Sequence, residues 1–124
     1  MLGYATIGTK NLETACAFYD ALLANIGGKQ LMGLEHIKFY GIDGGGAMLA
    51  IASPYNGELQ ACGNGNMIAI PGGSTAGADA LYTKAIELGA TDEGAPGQRL
   101  PFFYGAYVRD ADGNKLCFFH MTAV

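Results

Sequence analysis

The sequence of 124 residues has little of what marks several protein classes. Only 7 lysines and arginines stand against 11 aspartates and glutamates, without a basic run, which argues against a nucleic-acid-binding face. The three cysteines are an odd number without regular spacing, so they suggest neither a disulfide framework nor a CxxC zinc site. No stretch approaches 18 apolar residues, and the first residues lack the pattern of a signal peptide. We therefore expect a cytoplasmic protein with no membrane or nucleic-acid partner.

Apolar residues and glycine are what the sequence has in abundance. Apolar residues make up 50% of the chain, enough for one domain to bury roughly two-thirds of its unfolded surface. The 20 glycines cluster at places where turns are expected, which favours many short strands joined by tight loops.

An internal repeat constrains the fold more than any single motif. The stretch 40–51 aligns without a gap with 107–118, and the alignment matches Tyr40 with Tyr107. The residues 110–114 have the composition of a turn and lie between strand-forming residues, so each copy is predicted to be a β-hairpin.

Periodicity predicts the same order of elements in both halves. In the first half we predict a strand, a helix and three strands, at 3–9, 12–26, 29–34, 36–42 and 47–52. In the second half we predict a strand, a helix, a glycine- and proline-rich segment and a hairpin, at 67–70, 75–88, 89–101 and 103–121. Neither half alone covers both faces of its sheet. The sequence therefore predicts one α+β domain over residues 1–124, in which two βαβββ modules, 1–53 and 66–124, follow each other with a linker at 54–65. Together they would form a curved mixed sheet around a cavity, with the helices on the convex side.

This organisation resembles the vicinal oxygen chelate superfamily, which includes glyoxalase I, bleomycin-resistance proteins and extradiol dioxygenases. The resemblance covers the whole chain and extends to a small bacterial glyoxalase-like branch. It is carried by the duplicated module, by Asn11-Leu12-Glu13 followed by Ala17-Phe18-Tyr19, and by residues 110–114, which are close to the D-P-D-G-N turn of the family. The resemblance also implies a homodimer.

Metal-dependent members of the family hold a divalent cation with His or Glu side chains at four places. Carried onto this sequence, those places are Tyr4, Ala50, Met67 and Cys117. Phenol, methyl, thioether and thiol groups do not replace imidazole and carboxylate as ligands of a catalytic divalent cation. Adding His36 or His120 to Cys117 falls short of the three strong ligands that zinc requires. We therefore predict no metal site and no other cofactor.

Strand alternation predicts a cavity wall that is apolar with a few polar groups. The candidate ligand-binding residues are Tyr4, Thr6, Met48, Met67, Phe103, Tyr107, Cys117 and Phe119. Such a lining suits a compact apolar or aromatic ligand. The alternative is a cavity filled by its own side chains.

Cys117 is the candidate catalytic residue, because it is the one intrinsically reactive group in the predicted wall. Reactivity requires a thiolate, which the charge of Lys115 could stabilise. The alternative is an inert buried thiol that acts as a small apolar group. Arg99, in the segment before the last hairpin, could pair with an anionic group of a ligand.

The sequence favours a small-molecule-binding protein similar to glyoxalases and bleomycin-resistance proteins, with a degenerate metal site. The alternative is an enzyme, namely a metal-dependent glyoxalase-like lyase or isomerase, or a dioxygenase. A third interpretation is a dimeric interaction module with a collapsed pocket.

Overall fold

The computed structural model of the protein describes residues 1–122. Its strands and helices follow the order βαβββ twice, which confirms the predicted α+β fold with two modules. The elements are β1 (Tyr4–Gly8), α1 (Leu12–Leu23), β2 (Lys29–Gly33), β3 (Ile37–Gly41), β4 (Met48–Ala52), β5 (Ile68–Pro71), α2 (Thr75–Glu87), β6 (Thr91–Leu100), β7 (Phe103–Arg109) and β8 (Lys115–Met121). The chain divides into two compact units, 1–62 and 63–124, so residues 54–62 belong to the first unit.

The first unit is a four-stranded sheet with the strand order β1-β4-β3-β2. Strand β1 runs parallel to β4, and the other neighbouring strands are antiparallel. Helix α1 begins where the Asn11 side chain accepts a hydrogen bond from the Thr14 backbone N–H, which satisfies one of the free donors of the first turn. It ends at the 3₁₀ turn Ala24–Ile26, and Gly27, with φ of 77°, allows the chain to reverse.

Helix α1 covers one face of this sheet and leaves the other face without a helix. The hydroxyl of Tyr40 on β3 donates a hydrogen bond of 2.8 Å to Oδ1 of Asp20 on α1, so Tyr40 lies on the helix side. Side chains alternate along a strand. The residues directly before and after Tyr40 on β3, and those directly before and after its paired residues on neighbouring strands, therefore lie on the opposite side of the sheet. The helix-free face of the first unit includes Tyr4, Thr6, Gly8, Met32, Ile37, Phe39, Met48, Ala50 and Ala52.

The second unit has the corresponding strand order, β5-β8-β7-β6. Its helix α2 begins at Ser74, whose Oγ accepts a hydrogen bond of 2.9 Å from the Gly77 backbone N–H. The Tyr104 hydroxyl donates a hydrogen bond of 2.5 Å to Oδ1 of Asp79, which places Tyr104 on the side of α2. The helix-free face of the second unit consists of Ala69, Pro71, Phe103, Gly105, Tyr107, Lys115, Cys117 and Phe119.

The turn between β7 and β8 forms the predicted hairpin and is held by one buried carboxylate. Oδ1 of Asp110 accepts hydrogen bonds from the backbone N–H groups of Asp112 and Asn114, at 3.0 Å and 2.9 Å. Gly113 adopts a φ of 88°, a backbone conformation that a residue with a side chain rarely adopts. The composition Asp-x-Asp-Gly-Asn therefore specifies this turn locally.

Two sequence-based expectations of secondary structure need correction. The glycine- and proline-rich segment up to residue 101 is not an irregular loop, because residues 91–100 form the ten-residue strand β6. Its pairing with β7 shifts register between Asp92 and Gly94, between Gly94 and Gly97, and between Gln98 and Leu100. These irregularities break the alternation by which a strand is recognised in a sequence.

The gapless alignment of the two hairpins is also wrong on their first strands. Tyr40 pairs with Leu49 on the helix side, whereas Tyr107 pairs with Cys117 on the helix-free face. The structural counterpart of Tyr107 is therefore Phe39, which pairs with Ala50. The first hairpin has one more residue in its turn, where Gly44, Gly45 and Gly46 all have positive φ.

Candidate functional site

An aromatic pair dominates the helix-free face of the first unit. The rings of Tyr4 and Phe39 meet edge to face, with centroids 5.0 Å apart and planes at 83°. Phe39 is buried, but Tyr4 is 52% exposed, and Thr6 beside it is also exposed. Met48 is half-buried. The three predicted ligand-binding residues of this unit therefore share one face, and Tyr4 and Thr6 offer accessible surface there.

A second aromatic pair lies on the helix-free face of the second unit. The rings of Phe103 and Phe119 stack nearly parallel, with centroids 5.5 Å apart and planes at 8°. Gly105 gives these rings room, because a Cβ atom at this position would lie 2.8 Å from Cε2 of Phe103 and 3.5 Å from the Tyr107 hydroxyl. The structure thus brings Phe103, Tyr107 and Phe119 together on one face.

Two cations lie against the ring of Tyr107. Cζ of Arg99 is 5.5 Å and Nζ of Lys115 is 5.4 Å from the ring centroid, both within the range of cation–π attraction. The guanidinium of Arg99 also donates a hydrogen bond of 2.5 Å to the Ala95 carbonyl. Arg99 is held near the aromatic residues of this face, although it lies on β6, where the sequence had indicated only a loop.

Cys117 is fully buried between its neighbours on β5 and β7. Burial raises the pKa of its thiol, and the lowering effects of the Tyr107 hydroxyl, Arg99 and Lys115 do not offset that increase. The pKa of Tyr107 is raised as well, first by burial and then by Cys117. The thiol is therefore protonated near neutral pH and does not supply the thiolate that a nucleophile or redox sensor requires.

The four positions that correspond to the metal ligands of the family do not fit a catalytic cation. Ala50 has no donor atom, and the Tyr4 phenol and the Met67 thioether are weak ligands for such a cation. Met67 lies just before β5 rather than within it, and it is 44% exposed. Among residues 1–122, no three His, Cys, Asp or Glu side chains are grouped closely enough to hold a metal ion.

The two histidines lie away from these positions. His120 pairs with Tyr104 and so lies on the helix side of its sheet, opposite to Cys117, as alternation predicted. His36 precedes β3 and is exposed. His120 therefore does not join Cys117 on the helix-free face of the second unit.

Sequence reasoning missed two residues of the helix-free face of the first unit. Phe39, which pairs with Ala50, was not among the predicted residues. Gln60 lies in the predicted linker, yet its side chain packs over Gly8, where an added Cβ would lie 2.9 Å from Cγ of Gln60. It is only 6% exposed, and its local sequence gives no signal of this burial.

A shallow depression of about 530 Å³ lies on the other side of the first sheet. It is lined by Leu12, Glu13, Cys16, Ala17, Asp20, Gln30 and Lys38. It contains none of the predicted ligand-binding residues.

No helix among residues 1–122 is both long and apolar enough to cross a membrane.

Solved structures of known proteins resemble the chain along nearly its whole length. A glyoxalase/bleomycin resistance protein from Albidiferax ferrireducens T118 has 34% sequence identity and a TM-score of 0.88, with 97% of this chain and 98% of that chain covered. A glyoxalase/bleomycin resistance protein/dioxygenase family enzyme from Burkholderia phytofirmans PsJN has 18% identity and a TM-score of 0.77, covering 96% and 97%. A glyoxalase-related enzyme from Fulvimarina pelagi has 18% identity and a TM-score of 0.76, covering 96% and 86%.

The last two similarities concern the fold alone. No protein-family model matches the sequence, and no curated protein matches it.

Proposed function

Because this chain belongs to the glyoxalase/bleomycin resistance/dioxygenase superfamily, the vicinal oxygen chelate proteins, we propose that it is a small-molecule-binding member of that superfamily. Its ligand is a compact apolar or aromatic compound. It binds at a helix-free sheet face, without a resident metal ion. Since this superfamily includes proteins with different chemistries, the proposal is argued from the residues of the helix-free faces and not from the fold.

The observation that carries the proposal is the chemistry of the predicted site residues. They present phenyl, phenol, thioether, methyl and thiol groups, with no carboxylate or imidazole among them. Several are only partly buried, among them Tyr4, Met67 and Phe103. Partly exposed aromatic rings offer rigid contact surface to a flat ligand at a low cost in conformational entropy. A few polar groups beside them are enough to orient a ligand.

The positive charges of Arg99 and Lys115 favour anionic ligand groups at one edge of the helix-free face of the second unit. Both are close to the Tyr107 ring, and neither forms an ion pair with a carboxylate among the salt bridges of residues 1–122. An aromatic ligand that carries an anionic substituent would gain from this edge.

Thermal unfolding with a panel of toluene, phenol, indole and naphthalene tests the proposal. A compound at 100 times its dissociation constant stabilises the folded state by about 2.7 kcal/mol, so even weak ligands raise Tm measurably. We expect at least one compound of the panel to raise Tm in the presence of EDTA. If none does at millimolar concentration, the proposal is wrong.

A pair of matched variants locates the binding face. Ala69 is exposed on the helix-free face of the second unit, whereas Ala80 is exposed on α2. Ala69→Phe covers the helix-free face of the second unit with an additional ring and is expected to abolish the Tm increase of a ligand held there, while Ala80→Phe leaves it unchanged. Equal responses of the two variants would place binding elsewhere.

A further inference from the structure

The buried amide of Gln60 is the most unusual polar group of the first unit. The residue is 6% exposed, and both Nε2 and Oε1 are buried without a hydrogen-bond partner within residues 1–122. Buried polar side-chain atoms are nearly always hydrogen-bonded, and an exception requires an explanation. A buried amide without hydrogen-bond partners destabilises a folded protein, because the hydrogen bonds that it makes with water in the unfolded chain are not replaced.

The position of Gln60 connects this amide with the candidate site. Its Cγ would be 2.9 Å and its Cδ 3.9 Å from a Cβ atom on Gly8. Gly8 follows Tyr4 and Thr6 at intervals of two along β1, so the space above it is on the helix-free face. Gly8 also pairs with Ala52, the last residue of β4. The Gln60 side chain therefore lies on the same face as the Tyr4–Phe39 pair, at the end where β1 and β4 both finish.

Glycine at position 8 is what allows this placement. Any larger residue there would occupy the space of the Gln60 Cγ, and the methyl group of Ala52 is the smallest side chain that β4 could place beside it. The sheet thus provides room for a polar side chain from a distant loop on an otherwise apolar face.

We propose that Gln60 is the polar anchor of a ligand site on the helix-free face of the first unit, and that it selects compact ligands that present an uncharged N–H donor adjacent to a carbonyl acceptor. Lactams, cyclic imides and primary carboxamides belong to this class. A carboxamide side chain pairs with such a group through two reciprocal hydrogen bonds, N–H to oxygen in each direction. A charged group in contact with Gln60 is disfavoured, because an amide compensates the burial of a full charge poorly. This inference rests on the proposed function, whose ligand it specifies further.

Two closely related probes test the inference. 2-Pyridone has the adjacent N–H and C=O groups, whereas N-methyl-2-pyridone has lost the donor and keeps the ring and the carbonyl. Binding of both, and of toluene as an apolar reference, is measured by isothermal titration calorimetry. We expect 2-pyridone to bind the natural protein about ten-fold or more tightly than its N-methyl analogue. The N-methyl compound cannot donate the second hydrogen bond, so the Gln60 amide oxygen stays buried and unpaired in its complex.

The matched variants are Gln60→Met and Gln30→Met. Both replace an amide by a thioether of similar size, but Gln30 lies on β2 opposite Tyr40, on the helix side of the sheet. Gln60→Met should bind the two pyridones equally, and Gln30→Met should keep the preference. If methionine at position 60 alters the packing, Gln60→Leu is the second variant to be measured.

The free protein gives an independent readout. Because Gln60→Met removes two unsatisfied polar atoms from a buried position, its Tm without ligand should be higher than that of the natural protein, by a few degrees. A lower Tm would mean that the amide is already satisfied in the free protein, and would overturn the inference.

The other outcomes separate the two proposals. If toluene binds but the natural protein does not prefer 2-pyridone, or if the preference persists in Gln60→Met, the role of Gln60 is refuted while the binding function stands. If neither the pyridones nor any compound of the apolar panel binds, both proposals fail.

Discussion

Tyr40→Phe removes a hydroxyl group that joins the sheet of the first unit to its helix. Tyr40 is 1% exposed, and its hydroxyl donates to Oδ1 of Asp20 at 2.8 Å, with the backbone carbonyl of Cys16 at 3.3 Å. The ring itself is retained in phenylalanine, so the change deletes hydrogen bonds and little packing. Since Asp20 is exposed and can turn to water, we expect the free energy of unfolding to fall by about 1–2 kcal/mol.

The same hydroxyl makes stability dependent on alkaline pH. Burial, followed by the hydrogen bonds with Cys16 and Asp20, raises the pKa of Tyr40 far above its ordinary value. In the unfolded chain a tyrosine loses its proton near pH 10, so below about pH 10 the contribution of Tyr40 is fully present. At higher pH the unfolded state releases this proton and the folded state keeps it. The free energy of unfolding should then fall by up to about 1.4 kcal/mol per pH unit from this residue alone.

Urea unfolding of the natural protein, Tyr40→Phe and Tyr55→Phe between pH 7 and pH 11 measures both effects. Tyr55 is fully exposed and provides the matched control. We expect Tyr40→Phe to be less stable at pH 7 and to lose stability less steeply above pH 10, while Tyr55→Phe follows the natural protein. If Tyr40→Phe is as stable as Tyr55→Phe at pH 7, or has the same alkaline slope, the reasoning is refuted.

Two further predictions concern the cysteines and α2. Cys62 is exposed and Cys117 is buried with a raised pKa, so a thiol reagent should modify Cys62 rapidly in the folded protein and Cys117 only after unfolding, as mass spectrometry of the labelled peptides would show. Rapid labelling of Cys117 at neutral pH would contradict this prediction and would identify Cys117 as a reactive residue. A Cβ on Gly77 would collide with the carbonyl oxygen of Gly72, so Gly77→Ala should lower the free energy of unfolding by about 1–3 kcal/mol. Gly3→Ala, which meets no atom within 4 Å, should change stability little, and equal unfolding midpoints for the two variants would contradict the packing argument.

Much of the fold could be predicted because its signals are local. Asn11 and Ser74 begin the two helices as their residue types indicate, and the turn at 110–114 is specified by its own aspartates, glycine and asparagine. Alternation assigned Cys117 and Phe119 to one face, and this holds because β7 and β8 pair without a bulge. In these places the nearest neighbours in sequence determine the geometry.

The remainder depended on interactions that a local pattern does not contain. Strand β6 was missed since its bulges at glycines interrupt the period of two, and its pairing partner β7 is what keeps it extended. The sequence alignment matched Tyr40 with Tyr107 wrongly, because the turn of the first hairpin, with its three glycines, has one additional residue. The burial of Gln60 over Gly8 joins positions 52 residues apart, and only the folded sheet reveals it.

The central claim, that the protein binds a compact ligand without a metal ion, is tested most directly by measuring metal content and ligand response in the same sample. Protein purified without chelators is analysed by inductively coupled plasma mass spectrometry. Its Tm increase with the apolar panel is then recorded before and after dialysis against EDTA. The account predicts sub-stoichiometric metal and an unchanged increase in Tm. A stoichiometric divalent cation, together with loss of the ligand response after EDTA, would contradict it.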